Sequence, residues 1–133
     1  MGLFPFGRAK KESFYSKLES FIDSAFRRDI PADVIAVCFN LYENEKHKWC
    51  MEIIGTSSFD KQDSDWACDE VCDFGTREHP FIWAQDTEWK CILSEMTEHI
   101  MSYLNNGTYA GRLKHLEGVA VGFVDGDLSI LLG

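Results

Sequence analysis

The sequence predicts an α+β fold, a single domain over residues 1–133 in which an antiparallel sheet of four or five strands packs against two long helices. Apolar residues recur at helical spacing in two long segments, which flank a group of β-branched runs. The chain closes with two apolar runs separated by Asp125-Gly126, a strong short-range signal of a β-hairpin. The length suits one domain with a sizeable core, and we expect residues 1–9 to be a flexible N-terminus.

The first helix is predicted over Lys10–Arg28. Its apolar residues share one face, and its charged residues lie on the others. Pro31 ends the helix because proline biases the preceding residue, Ile30, away from helical backbone angles. The apolar face consists of Phe14, Leu18, Phe21, Ile22, Ala25 and Phe26.

Two strands follow the first helix. Asp33–Tyr42 contains the continuous apolar run VIAVCF, which is typical of a strand covered on both faces. Glu43–His47 is polar and predicts a turn, after which Lys48–Gly55 returns as the second strand. We therefore expect an antiparallel hairpin with a loop of four or five residues.

The second half of the chain predicts a helical turn near Asp65–Cys72 and a short strand near Pro80–Ala84. Thr87 can cap the second long helix, which Asn105-Asn106-Gly107 ends. Its apolar face is predicted to consist of Trp89, Ile92, Leu93, Met96, Ile100, Tyr103 and Leu104.

The end of the chain predicts a short third helix over Thr108–Leu116 and the hairpin named above. The hairpin strands are Val119–Val124 and Asp127–Leu132. Asp-Gly between them predicts a type I′ turn, which needs positive φ at both central residues.

Charge is distributed unevenly along the chain. Residues 1–28 carry six basic and three acidic side chains, whereas residues 29–133 carry seven basic and nineteen acidic ones. A body with a net charge of −12 repels the phosphates of nucleic acids and of anionic membranes. We therefore expect neither nucleic acid nor membrane as a partner, with the basic N-terminal helix as the one exception left open for nucleic acid, and a basic protein instead.

The chain also lacks the sequence signals of export. No apolar run approaches the roughly 18 residues of a membrane span, and the opening MGLFPFG is too short for the apolar region of a signal peptide. Five cysteines are an odd number, and three of them lie in apolar patterns. We expect reduced thiols in a cytoplasmic protein.

The segment Phe59–Trp83 is the strongest indication of function. It combines clustered carboxylates with large aromatic residues, a mixture that predicts an ordered acidic surface suited to a basic partner. Trp66 either forms an exposed anchor ringed by carboxylates or packs inward to fix the segment. We expect Trp49 and Trp89 in the core, and Trp83 in either environment. The predicted partner-binding residues are Asp63, Asp65, Trp66, Asp69, Glu70 and Asp73.

The alternatives rest on weaker patterns. Cys68, Cys72 and His79 have part of a zinc-site spacing, but no fourth ligand completes it. An EF-hand starting at Asp63 would need Gly and Glu at the sixth and twelfth positions, where the chain has Cys68 and Phe74. We therefore expect no metal and no cofactor.

None of the histidines lies in a recognisable nucleophile motif, and the Glu95–His99 spacing more often marks an exposed helical pair. We expect no catalytic residues. The alternative functions are a metal-binding or hydrolytic enzyme that uses Cys68, Cys72 and His79, and a structural or adaptor domain that self-associates through its apolar hairpin.

The run FDKQDSDWACDEV, the long helix after it and the run GVAVGFVDGDLSIL together resemble a group of small bacterial domains. This group includes immunity-type proteins encoded beside polymorphic or contact-dependent toxins, and the resemblance spans roughly residues 33–132. It implies a cytoplasmic, non-enzymatic protein that neutralises a toxin domain by tight binding. It carries over no catalytic residue, because such families share none.

Overall fold

The computed structural model describes residues 13–133. These residues form three α-helices, one short 3₁₀ helix and six strands, which confirms the α+β class. In chain order the elements are α1 (Phe14–Phe26), β1 (Ala36–Glu45), β2 (Lys48–Thr56), the 3₁₀ helix (Ser64–Cys68), β3 (Glu70–Gly75), β4 (Phe81–Ala84), α2 (Trp89–Asn106), α3 (Ala110–Lys114), β5 (Gly118–Phe123) and β6 (Ser129–Leu132).

The sheet is mixed, and it has six strands rather than the four or five antiparallel strands expected. Its order is β3-β2-β1-β5-β6. Strand β4 pairs with the first half of β2, along the same edge of β2 that pairs with β3 further on. Strand β1 is antiparallel to β2, but β1 and β5 run parallel, with Ala36 opposite Gly118 and Leu41 opposite Phe123. The long connection through α2 and α3 makes this parallel pairing possible, because a parallel pair needs a crossover.

Helix α1 begins where its N-cap satisfies the backbone. The Ser13 hydroxyl oxygen accepts a hydrogen bond from the Ser16 amide at 3.1 Å. The helix ends at Phe26, close to the predicted end. Residues 10–12 of the predicted helix, and the predicted flexible residues 1–9, lie outside the described part of the chain.

The main core lies between the helices and one face of the sheet. Val37, Phe39 and Leu41 of β1 face it, while Ala36 and Cys38 are buried on the opposite face. The prediction that this strand is covered on both faces is therefore confirmed. The helices contribute Leu18, Ile22, Phe26, Ile92, Met96, Ile100, Tyr103 and Leu104.

Both predicted hairpins form, but their loops differ from the predicted ones. The loop between β1 and β2 has two residues, Lys46 and His47, instead of four or five, and His47 takes a positive φ of 63°. Strands β5 and β6 are joined by residues 124–128, and the Gly126 amide donates to the Phe123 carbonyl at 2.9 Å. Neither Asp125 nor Gly126 is among the described residues with positive φ, so the type I′ prediction is wrong.

Helix α2 begins one residue later than a Thr87 cap requires. Glu88 holds the N-cap position and makes no side-chain capping hydrogen bond. The predicted end is confirmed, because Gly107 follows the last helical residue and its amide donates to the Tyr103 carbonyl at 2.7 Å.

The predicted helical turn near Asp65–Cys72 is only half correct. Its first part is the 3₁₀ helix, but β3 already begins at Glu70 and pairs with β2, with Thr56 opposite Glu70. Acidic residues have low strand propensity, and an edge strand with exposed side chains gives little apolar periodicity. The short strand predicted near Pro80–Ala84 is confirmed as β4.

Candidate functional site

The acidic segment begins on the sheet face opposite the helices. Phe59 and Trp66 lie against this face, and their rings meet edge to face with centroids 5.0 Å apart. A Cβ at Gly118 would overlap the Phe59 ring, so a glycine is needed beneath it. The strand residues of this second cluster are Ala36, Cys38, Ile54 and Ala120. Two aromatic side chains thus fix the segment to the sheet.

Trp66 is buried, with only 3% of its surface exposed. Its indole Nε1 has no hydrogen-bond partner within residues 13–133. Asp63, Asp65 and Asp69 around it are all exposed. Trp66 is therefore not the outward-facing anchor, and the alternative, in which it packs inward and fixes the segment, is the one that the structure shows.

Several carboxylates of the segment also hold its backbone. Asp60 and Asp63 each accept a hydrogen bond from the amide two residues further on, at 2.9 and 3.1 Å. The hydroxyl of Ser58 donates to the Asp69 carboxylate. These bonds order the turn and leave the carboxylates at the surface.

The other two predicted carboxylates lie in a different electrostatic environment. Glu70 forms an ion pair with Arg77. Asp73 lines a cleft of about 450 Å³ that is also lined by Arg28, Arg77 and His79. Arg77 therefore offsets the charge of Glu70, whereas Asp73 is exposed in a cleft that both basic and acidic residues line.

The loop between β5 and β6 adds carboxylates that the sequence did not single out. Val124, Gly126 and Leu128 of this loop share a cleft of about 250 Å³ with Asp65. The same loop carries Asp125 and Asp127, both exposed. In the sequence these two aspartates indicate only a turn, and nothing in that pattern shows that their loop lies close to the acidic segment. We call the set Asp63, Asp65, Asp69, Asp125 and Asp127 the acidic surface.

Trp89 is the exposed tryptophan, contrary to the expectation that it lies in the core. It is 51% exposed at the first position of α2 and meets Phe123 edge to face at 5.9 Å. Trp49 is buried as expected, and its indole Nε1 donates to the Gln85 carbonyl at 2.9 Å. Trp83 is half-buried on β4.

A buried carboxylate on β2 is a feature that the sequence analysis missed. The Glu52 side chain is only 7% exposed and lies 3.0 Å from Arg77, which also pairs with Glu70. Burial raises the pKa of Glu52 above its usual value and Glu70 raises it further, while Arg77 lowers it. The single carboxylate in the otherwise apolar run of strand KWCMEIIGT was the signal that could have found it.

The weak zinc candidates do not form a ligand set. Cys68 ends the 3₁₀ helix and Cys72 lies on β3, so they do not share one helical turn. His79 is exposed between β3 and β4. Within residues 13–133, no group of three or more Cys, His, Asp or Glu side chains is arranged to hold a metal ion.

The histidines make local contacts. His47 lies 3.1 Å from Asp86, and His115 Nδ1 lies 2.7 Å from the Gly111 carbonyl oxygen. His99 packs against the rings of Phe14 and Tyr15. Its predicted helical neighbour Glu95 instead accepts a hydrogen bond from Gln85 at 2.9 Å.

The five cysteines are free thiols in two environments, which gives a first prediction. Burial raises the pKa of Cys38 to about 12 and also raises that of Cys50. Because the thiolate is the reactive form, iodoacetamide should label only the exposed Cys68, Cys72 and Cys91 in the native protein. Peptide mass spectrometry should find Cys38 and Cys50 labelled after denaturation. Equal labelling rates for Cys38 and Cys91 in the native protein would contradict this arrangement.

In the part of the chain that the structure describes, no helix combines the length and the apolar character needed to cross a membrane. Comparison with family models, with curated proteins and with solved structures gives no match to this chain.

Proposed function

We propose that this chain is a non-enzymatic, cytoplasmic protein-binding module of the immunity type, which neutralises a basic toxin domain by occupying its cationic cleft. The observation that carries the proposal is the acidic surface, whose five carboxylates are all exposed. It lies on a body in which residues 29–133 carry a net charge of −12. A strongly acidic protein attracts a basic partner over distance and repels nucleic acid.

Rigidity is the second support. Binding costs less free energy when the contact surface is ordered before the partner arrives. Trp66 and Phe59 hold the segment on the sheet, and Asp63 fixes the start of the 3₁₀ helix by accepting from the Asp65 amide. The buried indole thus contributes to the proposed interface by holding the carboxylates in place, without touching the partner.

A toxin domain that cleaves nucleic acid needs a cationic cleft for phosphate, and exposed carboxylates can replace phosphate in such a cleft. Co-production of this chain should therefore restore growth to cells that produce the basic domain encoded beside its gene. Failure to restore growth, with the chain folded and present in excess, would reject the immunity proposal.

Reversing two charges of the acidic surface should slow association with that domain. Asp65→Lys with Asp127→Lys changes two exposed side chains and should lower the association rate constant by about tenfold or more at low salt. The dependence of the rate on ionic strength should become shallower. Stopped-flow measurements over a range of salt concentrations would show both effects.

The matched control reverses two carboxylates elsewhere. Asp33→Lys with Glu98→Lys makes the same change in net charge at exposed positions before β1 and on α2. It should slow association clearly less than the first pair does. Equal effects of the two pairs would mean that net charge alone, rather than the acidic surface, steers the encounter.

A further inference from the structure

A second surface lies next to the acidic surface and supplies the apolar contact that it lacks. Trp89 and Val124 are exposed by 51% and 59%, and both line a cleft of about 610 Å³. Phe123 forms part of this cleft and also of the cleft that contains Asp65. The two surfaces therefore adjoin along the loop between β5 and β6.

The aromatic residues of this cleft pack on a buried side chain. The Phe123 ring meets the ring of the buried Trp49 at 6.0 Å and that of the exposed Trp89 at 5.9 Å, in both cases nearly perpendicular. Trp49 is itself fixed by its hydrogen bond to the Gln85 carbonyl. Exposed tryptophans on a rigid base, with neighbours that exclude water, are the usual energetic centres of protein interfaces.

The acidic residues around the cleft favour a partner segment of positive charge. Glu43 and Asp125 line it, and Asp65 lines the adjoining cleft. A cation of the chain lies beside the indole: the Nζ of Lys90 is 5.8 Å from the Trp89 ring centroid. The indole face thus already attracts an ammonium group of the chain itself, and an incoming cation would compete with it.

We propose that the cleft formed by Trp89, Phe123 and Val124 is the anchor site for a cationic segment of a partner protein, in which lysine or arginine lies close to large apolar residues. The apolar side chains fill the cleft, and the cations meet Glu43, Asp125 and the indole face. This inference rests on the proposed function and adds to it the contacts that chiefly slow dissociation of the complex.

The test uses a fluorophore-labelled peptide of alternating lysine and leucine, with a glutamate–leucine peptide of equal length as the control. We expect the lysine peptide to bind at least about tenfold more tightly at low salt, and Trp89→Ala to weaken its binding by about tenfold or more. Lys90→Met removes the competing cation and should strengthen binding about two- to fivefold. Fluorescence anisotropy would give the dissociation constants.

Lys90→Met is the decisive variant, because a misfolded protein would not bind more tightly. Unchanged affinity in either variant, or equal affinity for the two peptides, would overturn the inference. So would a wild-type dimer that Trp89→Ala converts to a monomer in light scattering, because a second copy of the chain would then cover the cleft.

The same variants separate this inference from the proposed function. If Asp65→Lys with Asp127→Lys slows association with the basic domain while Trp89→Ala leaves its dissociation rate unchanged, the anchor site fails and the acidic surface stands. If the basic domain does not bind the wild-type chain at all, the proposed function fails, whatever the peptides do.

Discussion

Replacing Trp66 with alanine should lower the free energy of unfolding by about 3–5 kcal/mol, the usual cost of removing a large buried aromatic residue. Trp66 is the largest member of a small cluster that has few other apolar residues to fill the space. Its loss would also release Phe59, whose ring meets it at 5.0 Å. Urea denaturation, followed by circular dichroism, would measure the change.

Two further variants define what this loss means. Trp66→Phe keeps a ring and removes the indole N–H that has no partner within the described residues, so it should cost under about 2 kcal/mol. Trp89→Ala, at an exposed tryptophan, should cost about 1 kcal/mol or less. A Trp66→Ala loss as small as that of Trp89→Ala would mean that the segment does not depend on its buried indole.

The positions of these two tryptophans show the limit of sequence patterns, which left Trp66 open and wrongly placed Trp89 in the core. Helical spacing correctly placed Trp89 on the apolar face of α2, where it meets Phe123. At the first position of the helix, however, its side chain stays 51% exposed. Trp66 is surrounded by aspartates in the sequence, yet a 3₁₀ turn can direct one side chain inward and its neighbours outward. The burial of Trp66 and the exposure of Trp89 both depend on tertiary position, which amino-acid composition does not encode.

Local patterns predicted the elements better than their arrangement. Periodicity and the β-branched runs predicted the two long helices and strands β1, β2, β4, β5 and β6, because burial follows helical spacing in the helices and is nearly continuous in the central strands. The parallel pairing of β1 with β5 joins residues about 80 positions apart, and no local signal encodes it. Strand β3 was missed because two acidic residues interrupt its six positions and its pairing to β2 is irregular.

The candidate site was predicted only in part, for the same reason. The acidic segment is visible as a run of carboxylates, and three of its predicted members remain in the acidic surface. The contribution of Asp125 and Asp127 depends on the β5–β6 loop reaching the 3₁₀ helix, which is a tertiary contact. The neutralising effect of Arg77 on Glu70 likewise depends on a hydrogen bond across the bend after β3.

Replacing Arg77 with methionine should destabilise the protein by about 2–3 kcal/mol at neutral pH, because it leaves the buried Glu52 carboxylate without its cation. The expected loss is below that of a fully buried pair, since the Arg77 side chain is 57% exposed and water can partly replace it. Without Arg77, burial and the nearby Glu70 would raise the pKa of Glu52 still further.

The pH dependence of this loss follows from the direction of that shift. A carboxyl whose pKa is raised in the folded state binds its proton more tightly there than in the unfolded chain. Its stabilising contribution is therefore present below the unfolded pKa and is lost as the pH rises through the folded pKa. The stability difference between wild type and Arg77→Met should grow from about pH 4 to about pH 8. Urea unfolding at several pH values would measure it.

Glu52→Gln in the Arg77→Met background separates the buried charge from the lost packing of the arginine. The neutral amide needs no cation, so the double variant should recover at least about half of the lost stability at neutral pH. Its stability should also depend less steeply on pH than that of Arg77→Met. A double variant no more stable than Arg77→Met, with the same pH slope, would show that Arg77 acts through Glu70 or through packing alone.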